Sequence, residues 1–190
     1  KKRIVTIVLA FAVVGLAIAF LIPQKWTSKA VITPAEQTQW NTLRQMMVAL
    51  QVLDVDVKVS RDEVFGLFIK KFQSQSLLEE YMKTSPYVMS QLEGTEVDPL
   101  ELHRAVVNIA EKMKATDNTQ VKDADKAPYT SWTLSFTAPT AGDAQTVLEG
   151  YINYISRIVE QETMENIRNQ ITLKTKVVQQ QLELDRVRLT

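Results

Sequence analysis

The sequence predicts an α+β protein in three parts. A transmembrane helix spans 4–22, a membrane-proximal α/β base domain with a helical middle spans 25–160, and a long extended C-terminal helix spans 140–190 and projects from that base. Three observations predict this. The run Ile4 to Ile22 carries no charge. Two stretches, Trp26 to Thr33 and Tyr129 to Thr137, read with the period of two that marks half-buried strands. No glycine or proline follows Gly150, so a helix opened near Thr140 can run on to Thr190.

The apolar run comes first. About nineteen residues at roughly 1.5 Å each give a helix on the order of 28 Å, close to the hydrocarbon thickness of a bilayer. Lys1, Lys2 and Arg3 precede it, whereas Lys25 alone follows closely. This asymmetry places the N-terminus in the cytoplasm and everything after Gln24 outside the inner membrane, with Trp26 at the outer interface. A cleaved signal peptide is the rival, with Ala17-Ile18-Ala19 as its cutting site. Phe20, Leu21 and Ile22 carry the apolar run past that cut, which favours a retained anchor. Ala12, Gly15 and Ala19 could also form a small-residue helix contact in the membrane. The first residue is not methionine, and the last lies inside an unfinished helical pattern, so the natural protein is expected to continue at both ends.

Composition narrows the function. The chain has 190 residues, with 22 Lys plus Arg against 22 Asp plus Glu. A neutral chain has no basic field to attract nucleic acid. There is no cysteine, which removes disulfides, thiolate metal sites and cysteine nucleophiles together. Five glycines and six prolines are few for long disordered linkers.

After the first strand, Thr33-Pro34-Ala35-Glu36 reads as a capping box, opening a helix with Trp40, Leu43, Met47 and Leu50 on one face. Val55, Val57 and Val59 alternate with polar residues and leave strand and loop both open. Ser60-Arg61-Asp62-Glu63 is a second capping box, ahead of Val64, Leu67, Phe68 and Phe72. Ser76-Leu77-Leu78-Glu79 repeats the signal before Tyr81 and Met82. Ser85-Pro86 starts a short helix carrying Val88, Met89 and Leu92, ended by Gly94. Asp98-Pro99-Leu100-Glu101 opens a helix with Leu102, Val106, Ile109 and Met113 on one side, broken at Asp117 and Asn118. Thr119 to Ala124 and Tyr129 to Thr137 read as two strands turning at Asp125 to Pro128, with Thr130, Trp132, Leu134 and Phe136 inward.

The last helix changes character along its length. Ala144, Leu148, Tyr151, Ile155 and Ile158 form a dense apolar face. Beyond Glu160 the apolar positions thin to Met164, Ile167, Ile171, Val178, Leu182 and Leu189, interrupted by Lys174 and Asp185. So thin a stripe needs a neighbouring helix, from the same chain or another copy. Glu160, Glu165, Arg168, Ile171, Lys174 and Val178 are the candidate oligomer contacts. The charges Arg157, Glu160, Glu162, Glu165, Arg168 and Lys174 read first as a solvated face, and between copies could set register.

Chemistry is sparse. The lone histidine, His103, has no second His or any Cys at ligand spacing, so a structural role is expected. No P-loop, G-x-G-x-x-G, G-x-S-x-G or H-E-x-x-H occurs, and Asp54, Asp56, Glu79 and Glu80 lack a calcium-loop pattern. No catalysis, metal or cofactor is expected. Tyr151, Tyr154 and Trp132 could stack on sugar rings, but packing is the simpler use of aromatics at these spacings.

The arrangement resembles a known family. The basic flank, the apolar run, the strand Lys25-Trp26-Thr27-Ser28-Lys29-Ala30-Val31-Ile32-Thr33-Pro34, the stretch from Tyr129 to Pro139, and Asp143-Ala144-Gln145 leading through Leu148-Glu149-Gly150-Tyr151-Ile152 into a very long helix are similar to the Wzz chain-length determinants. These are the class 1 polysaccharide co-polymerases of Gram-negative inner membranes. The resemblance implies two cytoplasmic termini, a second, proline-rich membrane helix absent here, and a homo-oligomeric, bell-shaped ring. It implies control of O-antigen chain length with the Wzy polymerase and undecaprenyl-linked polysaccharide as partners, beside membrane lipid. It implies no enzymatic activity and no catalytic residues; the P-loop kinase of class 2 relatives is absent from this chain. A periplasmic sensor or a transport adaptor is the alternative.

Overall fold

Thr133, Ser135 and Thr137 alternate with Leu134, Phe136 and Ala138, and this period of two makes Trp132–Ala138 the central strand of a sheet. The computed structural model describes residues 11–13, 15, 24–52, 55, 57, 59–91, 98–120 and 129–188. In chain order these form β1 (Trp26–Ile32), α1 (Gln37–Val52), α2 (Arg61–Phe72), α3 (Gln75–Thr84), α4 (Pro86–Gln91), α5 (Pro99–Ala110), β2 (Met113–Asp117), β3 (Trp132–Ala138) and α6 (Ala141–Arg188). The sheet runs β1-β3-β2 and is antiparallel throughout. Most of the expected anchor, 4–22, lies outside the described residues; 11–13 and 15 are helical. Among the described residues no helix is long and apolar enough to cross a membrane.

Register sorts the two faces. Ala30, Leu134 and Ala115 align across the three strands, as do Ser28, Phe136 and Met113. This face joins the core with α6, α5 and the α3–α4 pair. Its centre is Leu134, Phe136, Met82, Val88, Val106, Leu148, Tyr151 and Ile155, all at 0–1% exposure. Each such burial contributes about 1.5–3 kcal/mol before the entropy of ordering is subtracted. The opposite face carries hydroxyl and β-branched residues with Lys29 and Lys114 flanking Ser135, and Thr27 and Thr137 are hydrogen-bonded through their hydroxyls at 2.8 Å.

Several expectations hold. β1 occupies the predicted stretch, and Trp40, Leu43, Met47 and Leu50 are the half-buried positions on α1. Ser60 and Glu63 form the reciprocal capping box, with Ser60 N–H donating to Glu63 at 2.9 Å and Glu63 N–H to Ser60 Oγ at 3.2 Å. Asp98 caps α5 by accepting from Leu100 N–H.

Others are corrected. α1 begins at Gln37, not after Thr33, and the Glu36 carbonyl accepts its first bond from Trp40 N–H. Ser74, not Ser76, stands at the N-cap of α3. Met89 on α4 is exposed; Leu92 and Gly94 lie outside the described residues. Val55, Val57 and Val59 belong to no strand, although Val57 is buried.

The largest correction concerns β2. Met113 continues the spacing of Leu102, Val106 and Ile109, which is why a helix was expected as far as Asp117. The helix instead ends at Ala110, and Glu111 and Lys112 turn the chain. Met113 and Ala115 then pair with Phe136 and Leu134. A pattern of one apolar residue every three or four positions cannot separate these outcomes; the free edge of β3 does. Asp117 ends β2 and Asn118 starts the turn after it, so neither breaks a helix. Thr119 and Gln120 are in that turn, while the rest of the strand expected to Ala124 and its turn at 125–128 lie outside the described residues.

Candidate functional site

Thr140 and Asp143 open α6. The Thr140 hydroxyl donates to the Asp143 carboxylate at 2.6 Å and accepts from Asp143 N–H at 3.1 Å. The helix then runs unbroken for 48 residues, about 72 Å.

Its first five turns belong to the core. Ala144, Val147, Leu148, Tyr151, Ile155 and Val159 are buried. Tyr151 donates its hydroxyl to the Phe72 carbonyl at 2.9 Å, which ends α2 against α6. Its ring lies 4.8 Å from Phe72 and 5.3 Å from Tyr81. Burial raises the Tyr151 pKa far above the ordinary tyrosine value, with the neighbouring Tyr154 adding to the shift. Gly150 lets Tyr81 approach: an added Cβ would overlap the Tyr81 hydroxyl, which donates to the Val147 carbonyl at 3.3 Å. Tyr151 and Tyr154 are thus packing residues, as expected.

The tie to the base loosens past Val159. Lys71 on α2 forms an ion pair with Glu162. Ile167 is the last buried position, at 7% exposure. Here α1, α2 and α6 border an open apolar groove of about 380 Å³, lined by Trp40, Leu43, Phe65, Phe68, Met164 and Ile167.

Beyond the groove α6 is exposed on nearly all sides. Of the sequence-predicted contacts, Glu160, Glu165, Arg168 and Val178 are exposed; Ile171 and Lys174 are half-covered. Glu160 borders the groove, and Ile171, Lys174 and Val178 follow along one seam with Met164, Ile167 and Leu182, whereas Glu165 and Arg168 lie off it on other sides of the helix. A second seam was missed. Leu173, Val177, Gln180, Leu184 and Val187 are spaced four, three, four and three, the heptad pattern of a helix contact, and all five are exposed. At roughly 100° per residue the two seams lie about 140° apart, on nearly opposite sides of the rod. The heptad spacing is the sequence signal of this second seam.

Among the described residues no group of three or more His, Cys, Asp or Glu is arranged to hold a metal. His103 is exposed on α5.

The chain length determinant protein (Wzz) family model matches residues 1–85. The ferric enterobactin transport protein FepE of Escherichia coli K12 is 54% identical over 189 residues, covering 99% of this chain and 50% of that protein. The chain length determinant protein of Salmonella typhimurium LT2 is 25% identical, covering 98% of this chain and 49% of that one. The chain thus spans about half the length of the curated relatives it matches. Among solved structures, a fragment of the polysaccharide co-polymerase WzzB from Salmonella Typhimurium matches with a TM-score of 0.55 at 25% identity, over 86% of this chain and 72% of that one. A full-length bacterial polysaccharide co-polymerase shares the fold with a TM-score of 0.52 at 23% identity, over 95% of this chain and 50% of that one. These matches identify the chain with the Wzz family of chain length determinants.

Proposed function

We propose that this chain is the anchored, periplasmic portion of a polysaccharide co-polymerase that sets O-antigen modal length. It acts as a homo-oligomeric scaffold for the Wzy polymerase and the undecaprenyl-linked glycan, without catalysing a step itself. The anchor at 4–22 holds it in the inner membrane, the base occupies 25–160, and the helix of 140–190 projects into the periplasm.

The observation that carries this reading is the distal half of α6, with two exposed seams on opposite sides. A helix with one apolar stripe is satisfied by one neighbour; a helix with two can take one on each side, as a head-to-tail ring requires. Glu160, Ile171, Lys174 and Val178 contact one neighbour and Leu173, Val177 and Leu184 the other, while Glu165 and Arg168, between the seams, set the register of the copies through charge. Deleting the gene and separating lipopolysaccharide on a gel tests it. The expected result is a lost or shifted modal band, restored by the wild-type gene; an unchanged ladder would refute length control.

A transport adaptor is the second reading, favoured by the ferric enterobactin transport name of the Escherichia coli relative. It predicts a loss of siderophore-iron uptake in the same deletion strain, with the lipopolysaccharide ladder intact.

A further inference from the structure

Between the β1–α1 connection, α2 and the start of β3 lies an open cleft of about 770 Å³. Phe65 and Trp132 are half-exposed in its wall, and Tyr129 is 59% exposed at its rim. Arg61, Asp62 and Thr130 supply its polar groups. We propose that this cleft is a saccharide-binding site, taking a segment of an uncharged or weakly charged glycan.

The lining has both halves of the needed chemistry. A pyranose ring has an apolar C–H face and a hydroxylated edge. Trp and Tyr rings offer a flat apolar surface for the first. The second needs fixed donors and acceptors. Arg61 donates to the Ala35 carbonyl at 3.3 Å, which holds its guanidinium beside the cleft, and Asp62 is an exposed acceptor. One cation and one carboxylate cancel, so the cleft has no field to select a phosphate or other anion.

The rim is also held in place. Asn118 N–H donates to the Ser131 carbonyl at 3.0 Å. The Asn118 side chain donates to Ser131 Oγ at 3.1 Å and accepts from the Thr133 hydroxyl at 2.9 Å. Asp117 accepts from both the Thr119 backbone N–H and its hydroxyl, which holds the Asp117 carboxyl below its usual range. This clamp engages the residues on either side of Trp132, fixing the strand while leaving Trp132 and Tyr129 to the cleft. A surface that spends little entropy on binding is a better binder than a mobile loop. Of the three aromatics that could stack on sugar, the core takes Tyr151 and Tyr154, and only Trp132 stands at an opening.

The proposal rests on the chain-length reading for its choice of glycan. O-polysaccharide released by mild acid from lipopolysaccharide of the source strain is titrated against the purified full chain in detergent, with binding read by saturation-transfer NMR. The wild type is expected to bind. Tyr129→Ala should weaken binding about fivefold, Asp62→Asn about threefold, and Tyr129→Phe less than twofold. Tyr129 and Asp62 are exposed, so folding, checked by circular dichroism, should be unaffected. No binding by the wild type, or equal binding by Tyr129→Ala and Asp62→Asn, overturns the site. The deletion gel stays separate. A shifted band without binding removes only the cleft, whereas binding with an unchanged ladder removes only length control.

Discussion

The two ends of α6 share one backbone geometry and differ in nearly everything else. From Ala144 to Val159 the buried positions meet the sheet, α2 and α3, and the aromatic cluster around Tyr151 has fixed ring geometry. From Leu173 to Val187 the apolar residues stand in solvent, at 64% and 74% exposure for those two. Helix propensity explains why the rod does not stop between them: Glu, Gln, Arg, Lys and Leu fill the distal half, and no breaker occurs. Propensity says nothing about which half is a core. Burial makes the first half part of a domain and leaves the second as a surface.

That contrast can be broken or sharpened by substitution. Tyr151→Ala should have the largest effect, losing about 3–5 kcal/mol of stability in chemical denaturation, because it removes a buried ring and leaves the Phe72 carbonyl without its side-chain donor. Tyr151→Phe separates these two contributions by keeping the ring. Gly150→Ala should cost about 1–3 kcal/mol, since the Tyr81 ring packs against Tyr151 and Tyr154 and has little room to yield. A neutral result would mean that α3 can slide on α6. The combined Leu173→Asp and Leu184→Asp variant should change protomer stability by less than about 0.5 kcal/mol. In sedimentation of the detergent-solubilised chain, the same variant should lose self-association. A large stability loss would show the distal half to be core after all, and intact association would remove the second seam as a contact.

Much of the fold is legible before any coordinates. The capping pairs Ser60/Glu63 and Thr140/Asp143 state where helices begin, because they satisfy backbone donors within three residues. The alternation holds in Trp26–Ile32 and Trp132–Ala138, because a strand with one buried face must keep that period, but Tyr129, Thr130 and Ser131 precede β3 and Thr130 is exposed rather than inward. The failures are of another kind. Met113 fits a helical stripe and a strand pair equally well. Ser76 and Ser74 both look like caps, and neither helix start after Thr33 nor strand start before Trp132 follows from local chemistry. Both apolar seams of distal α6 are written in the sequence, one through Ile171, Val178 and Leu182 and the other as the heptad of Leu173, Val177, Leu184 and Val187, but spacing alone does not say what covers either.

The sequence by itself determined what is local: the caps, the two strands with clean alternation, the length of α6 and the absence of thiol chemistry. Each can be read from residues close together in the chain, because the cap, the alternation and the absence of a breaker are all local patterns. Only the tertiary structure decided that 113–117 is a strand, that Trp132, expected inward, stays half-exposed, and that the sheet order is β1-β3-β2. Those outcomes depend on edges and surfaces brought together from opposite ends of the chain, and their free energy exists only once the chain has closed.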